Sequence, residues 1–281
     1  MEGQRNAPQS QPGDEHQMNP EPEFIRASYQ GTGKLRGKIA LITGGDSGIG
    51  RAVAVHYARE GADVAIAYLE EDKDAEDTRA LVEAEGQRCL VMKGDVGSPE
   101  FCREIVEKTV SELGGLNILV NNAAEQHDWD DVTQIPDEQI ERTFRTNIFS
   151  HFYTVKNALA HMKEGDSIIE TSSINAFKGN DTLIDYTATK GAIQGFMRSI
   201  AMSLVGRGIR VNAVAPGPVW TPLIPASMDE EQVESFGGQV PMKRAGQPSE
   251  MGPAYVYLAS EESSYMNGQT IHLNGGVILN T

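Results

Sequence analysis

Cysteine is scarce in this sequence, and its histidines form no metal-binding pattern. Its 281 residues include 2 cysteines and 6 histidines. Cys89 and Cys102 are too few and too poorly spaced for a disulfide framework or a zinc site. The histidines lack the i, i+4 pairing and the carboxylate spacing of a metal site. We therefore expect no catalytic metal.

Positive charge and long apolar runs are scarce as well. Lysine and arginine number 24 against 40 aspartates and glutamates, which gives a net charge of −16. Such a surface repels nucleic acid and anionic membranes, so we expect neither as a partner. The sequence has no apolar run of the ~18 residues that span a membrane, and no secretion signal at its N-terminus. These absences predict a cytoplasmic protein.

The first 35 residues have almost no apolar periodicity. They are rich in Gln, Glu and Asn, and their prolines are Pro8, Pro12, Pro20 and Pro22. Such a segment cannot offset its own ordering entropy. We expect a polar, partly disordered arm over 1–35 and a dinucleotide-binding catalytic domain over 36–281. Deletion of residues 1–20 should leave cofactor binding intact. The cluster of Phe24, Ile25 and Tyr29 could anchor part of the arm.

From Lys38 onward, apolar strand candidates alternate with helical stretches. The strand candidates are 38–43, 63–68, 88–93, 117–121, 166–171, 209–215 and 269–273. The helical stretches are 48–60, 72–85, 98–113, 136–162, 186–206 and 248–259. The strand runs are mostly apolar, as in strands covered on both faces. This predicts an α/β fold with a single doubly wound parallel seven-stranded sheet, Rossmann-like, in the order 3-2-1-4-5-6-7, with its ligand beyond the carboxyl ends of the strands.

A glycine-rich turn, TGGDSGIG at 43–50, follows the first strand and opens a helix. Glycine tolerates positive φ and lets a diphosphate approach the backbone, while the amides of the first helical turn and the helix dipole face the anion. Glycines at such intervals also mark ordinary turns. The candidate cofactor residues here are Gly44, Asp46, Ser47, Gly48, Ile49 and Gly50.

Tyr186 and Lys190 are four positions apart in a helical stretch and share one face. An ammonium beside a phenol favours the phenolate and lowers a pKa that is otherwise near ~10. A hydroxyl from Ser173 would hold a carbonyl or alkoxide oxygen beside that phenol. Singly, these residues read as a half-buried tyrosine and a surface lysine. Together with the glycine turn, they indicate an acid–base device for hydride transfer.

These motifs, with NNAA at 121–124, PGPVWTP at 216–222 and Asn147, resemble the short-chain dehydrogenase/reductase family over about 36–281. Ser173 lies at the family's usual interval before Tyr186, which selects it over Ser172. The arm and the glycine turn are similar to the branch of general-stress oxidoreductases and plant glucose/ribitol dehydrogenase homologues. The resemblance implies a homotetramer.

The resemblance also implies catalytic roles. Tyr186 would be the acid/base, and Lys190 would lower its pKa and hold the nicotinamide ribose. Ser173 would polarise the substrate oxygen, and Asn147 would support a water-linked proton path through Lys190. Asn147 could instead cap or bridge backbone.

By the same resemblance, the nucleotide meets residues at the ends of several strands, with Asp95 accepting from the adenine amino group. The further candidates are Tyr68, Leu69, Glu70, Asp95, Val96, Asn121, Ala123, Ala124, Thr171, Pro216, Gly217, Val219 and Thr221. The sequence departs from the family's common pattern at Ala124 and Thr189. Because Asp46 and Glu70 would repel a 2′-phosphate, we predict NAD as the cofactor. NADP stays possible if Arg51 or Lys73 swings in.

Substrate contacts are expected from Ser173, Asn175, Phe177, Tyr186 and Trp220. Their mixed polar and aromatic character is compatible with sugars, polyols or small aldehydes and ketones. The sequence thus predicts an NAD(P)-dependent oxidoreductase that interconverts a small-molecule alcohol and carbonyl. A catalytically silent dinucleotide-binding scaffold or sensor is the alternative, and epimerisation or dehydration on the same scaffold is a third.

Overall fold

The computed structural model describes residues 9–279, and within them seven strands form one parallel sheet. The strands are β1 (Ile39–Thr43), β2 (Asp63–Tyr68), β3 (Cys89–Lys93), β4 (Ile118–Asn121), β5 (Ser167–Thr171), β6 (Arg210–Pro216) and β7 (Thr270–Leu273). Their order is β3-β2-β1-β4-β5-β6-β7, and every neighbouring pair is parallel. This confirms the predicted fold class and strand order.

Helices cover both faces of the sheet. They are α1 (Gly48–Arg59), α2 (Asp72–Ala84), α3 (Pro99–Leu113), α4 (Asp137–Phe144), α5 (Ser150–Ala158), α6 (Asn175–Lys178), α7 (Ile184–Leu204), α8 (Glu230–Ser235) and α9 (Pro248–Ala259). The single helix predicted over 136–162 is divided, because a π-helical turn (Arg145–Phe149) separates α4 from α5. Such turns are rare and often lie at functional sites.

The core has two layers, one on each side of the sheet. Leu41 and Ile42 are adjacent in β1 and fully buried, and they belong to different apolar clusters because successive side chains in a strand point to opposite faces. Leu41 shares its cluster with Ile105 of α3, and Ile42 shares its cluster with Tyr57 of α1. Burying one such aliphatic side chain contributes roughly 1.5–3 kcal/mol.

Residues 9–35 of the arm follow the surface of the domain, which differs from the expected partial disorder. Met18 is 5% exposed and packs with Trp220, and Leu35 is fully buried in the main core. The Tyr29 hydroxyl donates to Glu60 at 2.6 Å. The expectation for residues 1–8 lies outside the described residues, and the domain boundary at residue 35 stays a prediction.

No helix within residues 9–279 is both long and apolar enough to cross a membrane. Cys89 and Cys102 carry free thiols, and burial raises the pKa of each to about 12.

Candidate active site

A cavity of about 950 Å³ opens at the carboxyl ends of the central strands. Its wall includes Gly44 after β1, Tyr68 at the end of β2, Asn122 after β4, Thr171 at the end of β5 and Pro216 at the end of β6. This is the edge at which parallel α/β sheets bind ligands, near the point where the strand order reverses.

The glycine turn forms one side of this cavity. Gly44 and Gly48 have φ values of +62° and +51°, which glycine adopts without strain. A Cβ on Gly50 would lie 1.8 Å from the carbonyl oxygen of Gly44, so the turn and α1 approach too closely for any side chain there. Gly48 and Ile49, in the first turn of α1, line the cavity. A phosphate fits such a helix N-terminus.

Ser173, Tyr186 and Lys190 converge on the same cavity and are 7%, 9% and 2% exposed. Tyr186 and Lys190 lie one turn apart on α7, and the Lys190 ammonium nitrogen is 5.3 Å from the centroid of the tyrosine ring. That nitrogen also donates to the carbonyl oxygen of Thr171 at 2.9 Å. The end of β5 therefore fixes the lysine, while α7 carries both residues.

Burial controls the titration of both groups. It raises the pKa of Tyr186 to about 12, although a hydrogen bond with Ser173 acts in the opposite direction. Burial also lowers the pKa of Lys190 to about 8, against the pull of the Glu170 carboxylate. In this structure the loss of hydration dominates the pKa of Tyr186, and its lowering by the Lys190 ammonium stays a prediction.

Asn147 sits in the π-helical turn and is fully buried. Its side chain accepts from the Glu125 amide at 2.9 Å and donates to the Glu125 carbonyl at 2.8 Å. It also donates to the hydroxyl of Thr189 at 3.2 Å, and that hydroxyl donates to the Tyr186 carbonyl at 2.6 Å. Asn147 thus bridges backbone, as the alternative interpretation had it, and ties the segment after β4 to the helix that carries Tyr186.

Comparisons with known proteins show which family this chain belongs to. A family model described as enoyl-(acyl carrier protein) reductase matches residues 44–278. General stress protein 39 of Bacillus subtilis is 60% identical over 96% of this chain and 95% of its own length. The glucose and ribitol dehydrogenase of Daucus carota is 52% identical over 97% of this chain and 96% of its own length. The chloroplastic NADPH-dependent aldehyde reductase 1 of Arabidopsis thaliana is 50% identical over 100% of both chains.

A solved structure shows the same fold. The short-chain dehydrogenase of Burkholderia cenocepacia, crystallised in complex with NADP, matches with a TM-score of 0.82 and 31% identity over 86% of this chain and 98% of its own. The chain belongs to the short-chain dehydrogenase/reductase family. It is an oxidoreductase in the branch of the general-stress and glucose–ribitol relatives.

Asp95, the family's expected partner for adenine, is already engaged in an ion pair. One carboxylate oxygen accepts from the Gly97 amide at 2.7 Å, and the other pairs with the guanidinium of Arg142. Arg142 also pairs with Glu125 at 3.1 Å and lines the cavity. Sequence reasoning missed Arg142, because no motif of this short-chain dehydrogenase/reductase marks it.

Acidic groups gather where the family distinguishes its two dinucleotides. Asp46 and Glu71 line the cavity, and burial raises their pKa values to about 6 and about 7. Arg51 is 3% exposed and donates to the carbonyl oxygens of Asp46 at 3.0 Å and Asp74 at 2.9 Å, so it is not free to swing toward a 2′-phosphate. Lys73, the other candidate cation, pairs with Asp77 on the exposed face of α2.

The structure brings most of the predicted site residues to the cavity wall. These are Gly44, Asp46, Ser47, Gly48, Ile49, Tyr68, Leu69, Asp95, Val96, Ala123, Ala124, Thr171, Ser173, Asn175, Tyr186, Lys190, Pro216, Gly217, Val219 and Thr221. Within residues 9–279, the wall does not include Gly50, Glu70, Asn121, Asn147, Phe177 or Trp220.

Besides Asn147, three of these six have partners elsewhere in the fold. Trp220 is fully buried, and its ring nitrogen donates to the Pro20 carbonyl at 2.8 Å. The Phe177 ring packs edge-on against His272 with centroids 4.7 Å apart. The Asn121 side chain is taken up by buried polar partners, and Glu71 lines the cavity where Glu70 was expected. Trp220 and Phe177 therefore do not line the cavity in which we expected them to contact the substrate.

The arm supplies cavity residues that the sequence did not predict. Gln11 and Pro12 line the wall, although nothing in their polar surroundings signals a binding role. Asp14, His16 and Asp74 also come together, with one ligand atom of each within 4.8 Å of the others. Their positions along the chain hide this group from a search for spaced metal ligands.

Proposed function

We propose that the protein interconverts an alcohol and a carbonyl by hydride transfer with a nicotinamide dinucleotide, with Tyr186 as the acid/base. The observation that carries this proposal is the convergence of Ser173, Tyr186 and Lys190 in one buried cavity that also contains the glycine turn. A bound dinucleotide supplies the hydride for reduction and accepts it in oxidation.

The chain's own groups handle the proton and the substrate oxygen. Tyr186 gives its hydroxyl proton to the oxygen of a carbonyl as the carbon receives the hydride, and it takes that proton back from an alcohol. Ser173 donates to the same oxygen and holds it beside the phenol. Lys190, held by the Thr171 carbonyl, supplies positive charge near the phenolate when the lysine is protonated. Because burial raises the pKa of Tyr186 to about 12, the neutral phenol that carbonyl reduction needs predominates at neutral pH.

Polar side chains in part of the cavity wall support a small hydroxylated substrate. Glu125, Gln126, Asn175, Lys178 and Thr182 line the wall with groups that can hydrogen-bond hydroxyls or an aldehyde hydrate. The carrot and Arabidopsis relatives are named for activity on glucose, ribitol and aldehydes. We infer the same substrate class here.

For the cofactor, the acidic groups favour NAD. A 2′-phosphate would meet like charge from Asp46, which is mostly ionised at neutral pH, and from Glu71 above about pH 7. Arg51 is already held by other partners. The Burkholderia structure contains NADP, and the Arabidopsis relative is named as NADPH-dependent. With one substrate, kcat/KM should be higher for NAD than for NADP. An advantage for NADP would refute the preference.

One assay separates the three candidate functions. The purified protein is given each dinucleotide with a panel of sugars, polyols and small aldehydes, and absorbance of the reduced nicotinamide is followed. Turnover that disappears in Tyr186→Phe supports the proposal. Dinucleotide binding without turnover on any substrate would favour the silent scaffold or sensor, and conversion of substrate without net reduction of cofactor would favour epimerisation or dehydration.

We also propose a cytoplasmic homotetramer that binds neither nucleic acid nor membranes. Exposed apolar side chains on α5 and near the end of α7, Phe152 at 51% and Met202 at 79% exposure, support self-association. The free thiols fit a reducing compartment, and the net charge of −16 disfavours nucleic acid. Sedimentation at micromolar concentration should show a tetramer, and a monomer alone would contradict the assembly.

A further inference from the structure

Residues 9–18 of the arm, here called the strap, cross the dinucleotide cavity. At one end the Gln9 amide donates to the carbonyl of Pro225 at 3.0 Å, in the segment that follows β6. Gln11 and Pro12 then form part of the cavity wall. At the other end Met18 packs beside Trp220. Both ends of the strap therefore contact the segment after β6, and Glu15 between them reaches the glycine turn.

Gln11 joins the strap to the segment after β4. Its side-chain oxygen accepts from the Gln126 amide at 3.0 Å, and its side-chain nitrogen donates to the Gln126 carbonyl. The side-chain amide of Gln11 thus makes two hydrogen bonds with the backbone of one residue, as a neighbouring strand would. It contacts Gln126, whose own side chain donates to Ser227 at 2.7 Å, so Gln126 links the strap to the segment after β6.

Glu15 joins the strap to the glycine turn. Its carboxylate is fully buried, accepts from the Gly48 amide and pairs with the guanidinium of Arg51. Arg51 in turn donates to the carbonyl of Asp46 at 3.0 Å, inside the turn. The Glu15 amide donates to Asp74 at 2.6 Å, at the start of α2. One arm residue thus connects the turn, α1 and α2.

The Glu15 carboxylate supports the turn from outside the cavity. Among the described residues, Glu15, Arg51 and Asp74 are absent from the cavity wall, whereas Ser47, Gly48 and Ile49 belong to it. The carboxylate therefore occupies one amide of the first turn without entering the space for a ligand. Its ion pair with Arg51 also limits the repulsion that a buried anion would exert on phosphate nearby.

We propose that the strap is part of the dinucleotide site, with Glu15 as a positioning residue for the glycine turn and Gln11 as a positioning residue for the segment after β4. This inference rests on the proposed function, because it needs a dinucleotide in the cavity. It replaces the expectation that the first 20 residues can be removed without loss of cofactor binding.

The test compares Glu15→Ala with Glu23→Ala in the full chain. Glu23 also anchors the arm, since its carboxylate accepts from Ser249 on α9, but it lies outside the cavity wall. Calorimetric titration with NAD should show Kd raised about tenfold in Glu15→Ala and changed less than about twofold in Glu23→Ala. KM for the dinucleotide should rise in Glu15→Ala more than kcat falls.

Gln11→Ala keeps the test decisive if Glu15→Ala does not fold. Gln11 is only partly buried, so its variant should keep the wild-type melting temperature while Kd for NAD rises severalfold. An unchanged Kd for NAD in the folded variants would refute the proposed role of the strap in dinucleotide binding. Tighter binding in Glu15→Ala would also refute it, because the arm would then compete with the dinucleotide. If the wild-type protein itself binds neither dinucleotide, the proposed function fails instead.

Discussion

The ammonium nitrogen of Lys190 lies between the ring of Tyr186, 5.3 Å away, and the carbonyl oxygen of Thr171, 2.9 Å away. One contact is within a single helix, and the other joins that helix to the end of β5. The position of the lysine therefore depends on the register between helix and sheet. The tyrosine depends on its place in the helix, and its hydroxyl has Ser173 as a hydrogen-bond partner.

Tyr186→Phe should abolish most turnover and leave nucleotide affinity within about twofold, because only the hydroxyl that carries the proton is removed. Single-substrate kinetics and a titration with dinucleotide measure the two effects. Tyr265→Phe, at a fully exposed tyrosine, is the matched control and should behave as wild type. Near-normal turnover in Tyr186→Phe would rule out this residue as the acid/base.

Ser173→Ala should move the pH profile of alcohol oxidation to higher pH. The Ser173 hydroxyl lowers the pKa of Tyr186, so its loss raises that pKa further, and the phenolate that accepts the alcohol proton forms only at higher pH. The measurement is kcat/KM for alcohol oxidation between about pH 6 and about pH 10.

Ser172→Ala is the control for that profile. The Ser172 hydroxyl donates to the Lys190 carbonyl at 3.2 Å, so its loss should leave the basic limb in place. A limb that shifts equally in both variants, or in neither, would contradict the role given to Ser173.

Gly50→Ala should destabilise the protein by about 1–3 kcal/mol and weaken dinucleotide binding, because the new methyl group would lie 1.8 Å from the Gly44 carbonyl oxygen and force the turn apart. Gly115→Ala is the matched control and should behave as wild type, since a Cβ there meets no atom nearer than 3.7 Å. Melting temperatures and titrations of both variants test the pair. Wild-type values in Gly50→Ala would show that the turn can relax.

Glu250→Gln should lower the melting temperature at neutral pH. The guanidinium of Arg244 holds the pKa of Glu250 at about 2, below its ordinary value of 4.5. The ionised carboxylate therefore stabilises the fold above about pH 4.5, and this contribution is lost as the pH falls toward about 2. The difference in melting temperature between wild type and variant should shrink over that range.

An exposed ion pair gives the comparison for Glu250. Glu104 pairs with Lys108 on α3 at 2.6 Å, with both side chains about half exposed, so Glu104→Gln should change the melting temperature little at any pH. Equal decreases in melting temperature in the two variants would mean that the pair of Glu250 with Arg244 stabilises the fold no more than an exposed ion pair does.

The sequence predicted the sheet because each buried strand is an apolar run between turn signals. It predicted the convergence of Ser173 and Tyr186 because Ser173 follows the fifth predicted strand and Tyr186 begins the next helical stretch. The predicted strand order brings both positions to the same edge of the sheet. These are local patterns, and parallel topology then leaves few ways to arrange them.

Contacts between distant segments could not be predicted in this way. Trp220 follows a strand whose end reaches the cavity, yet its ring is covered by Met18 and Pro20 of the arm. Arg142 is one of many charged residues on an amphipathic helix, and only its approach to Asp95 gives it a place in the site. The raised pKa of Tyr186 depends on how completely the folded chain removes it from water, which spacing alone does not report.

The arm leaves the ribosome before the rest of the domain, and two of its partners, Trp220 and Ser249, leave much later. Pro20 contacts Trp220 across 200 positions of sequence, and Glu23 contacts Ser249 across 226. At a synthesis rate of ~5–20 residues per second, the arm waits about 10–40 s before the first of these partners exists. Closing such long loops is slow, so docking of the arm is a late step of folding. A nascent chain that stops before residue 220 therefore carries an arm that can already reach the glycine turn through Glu15 but cannot yet dock on Trp220 or Ser249.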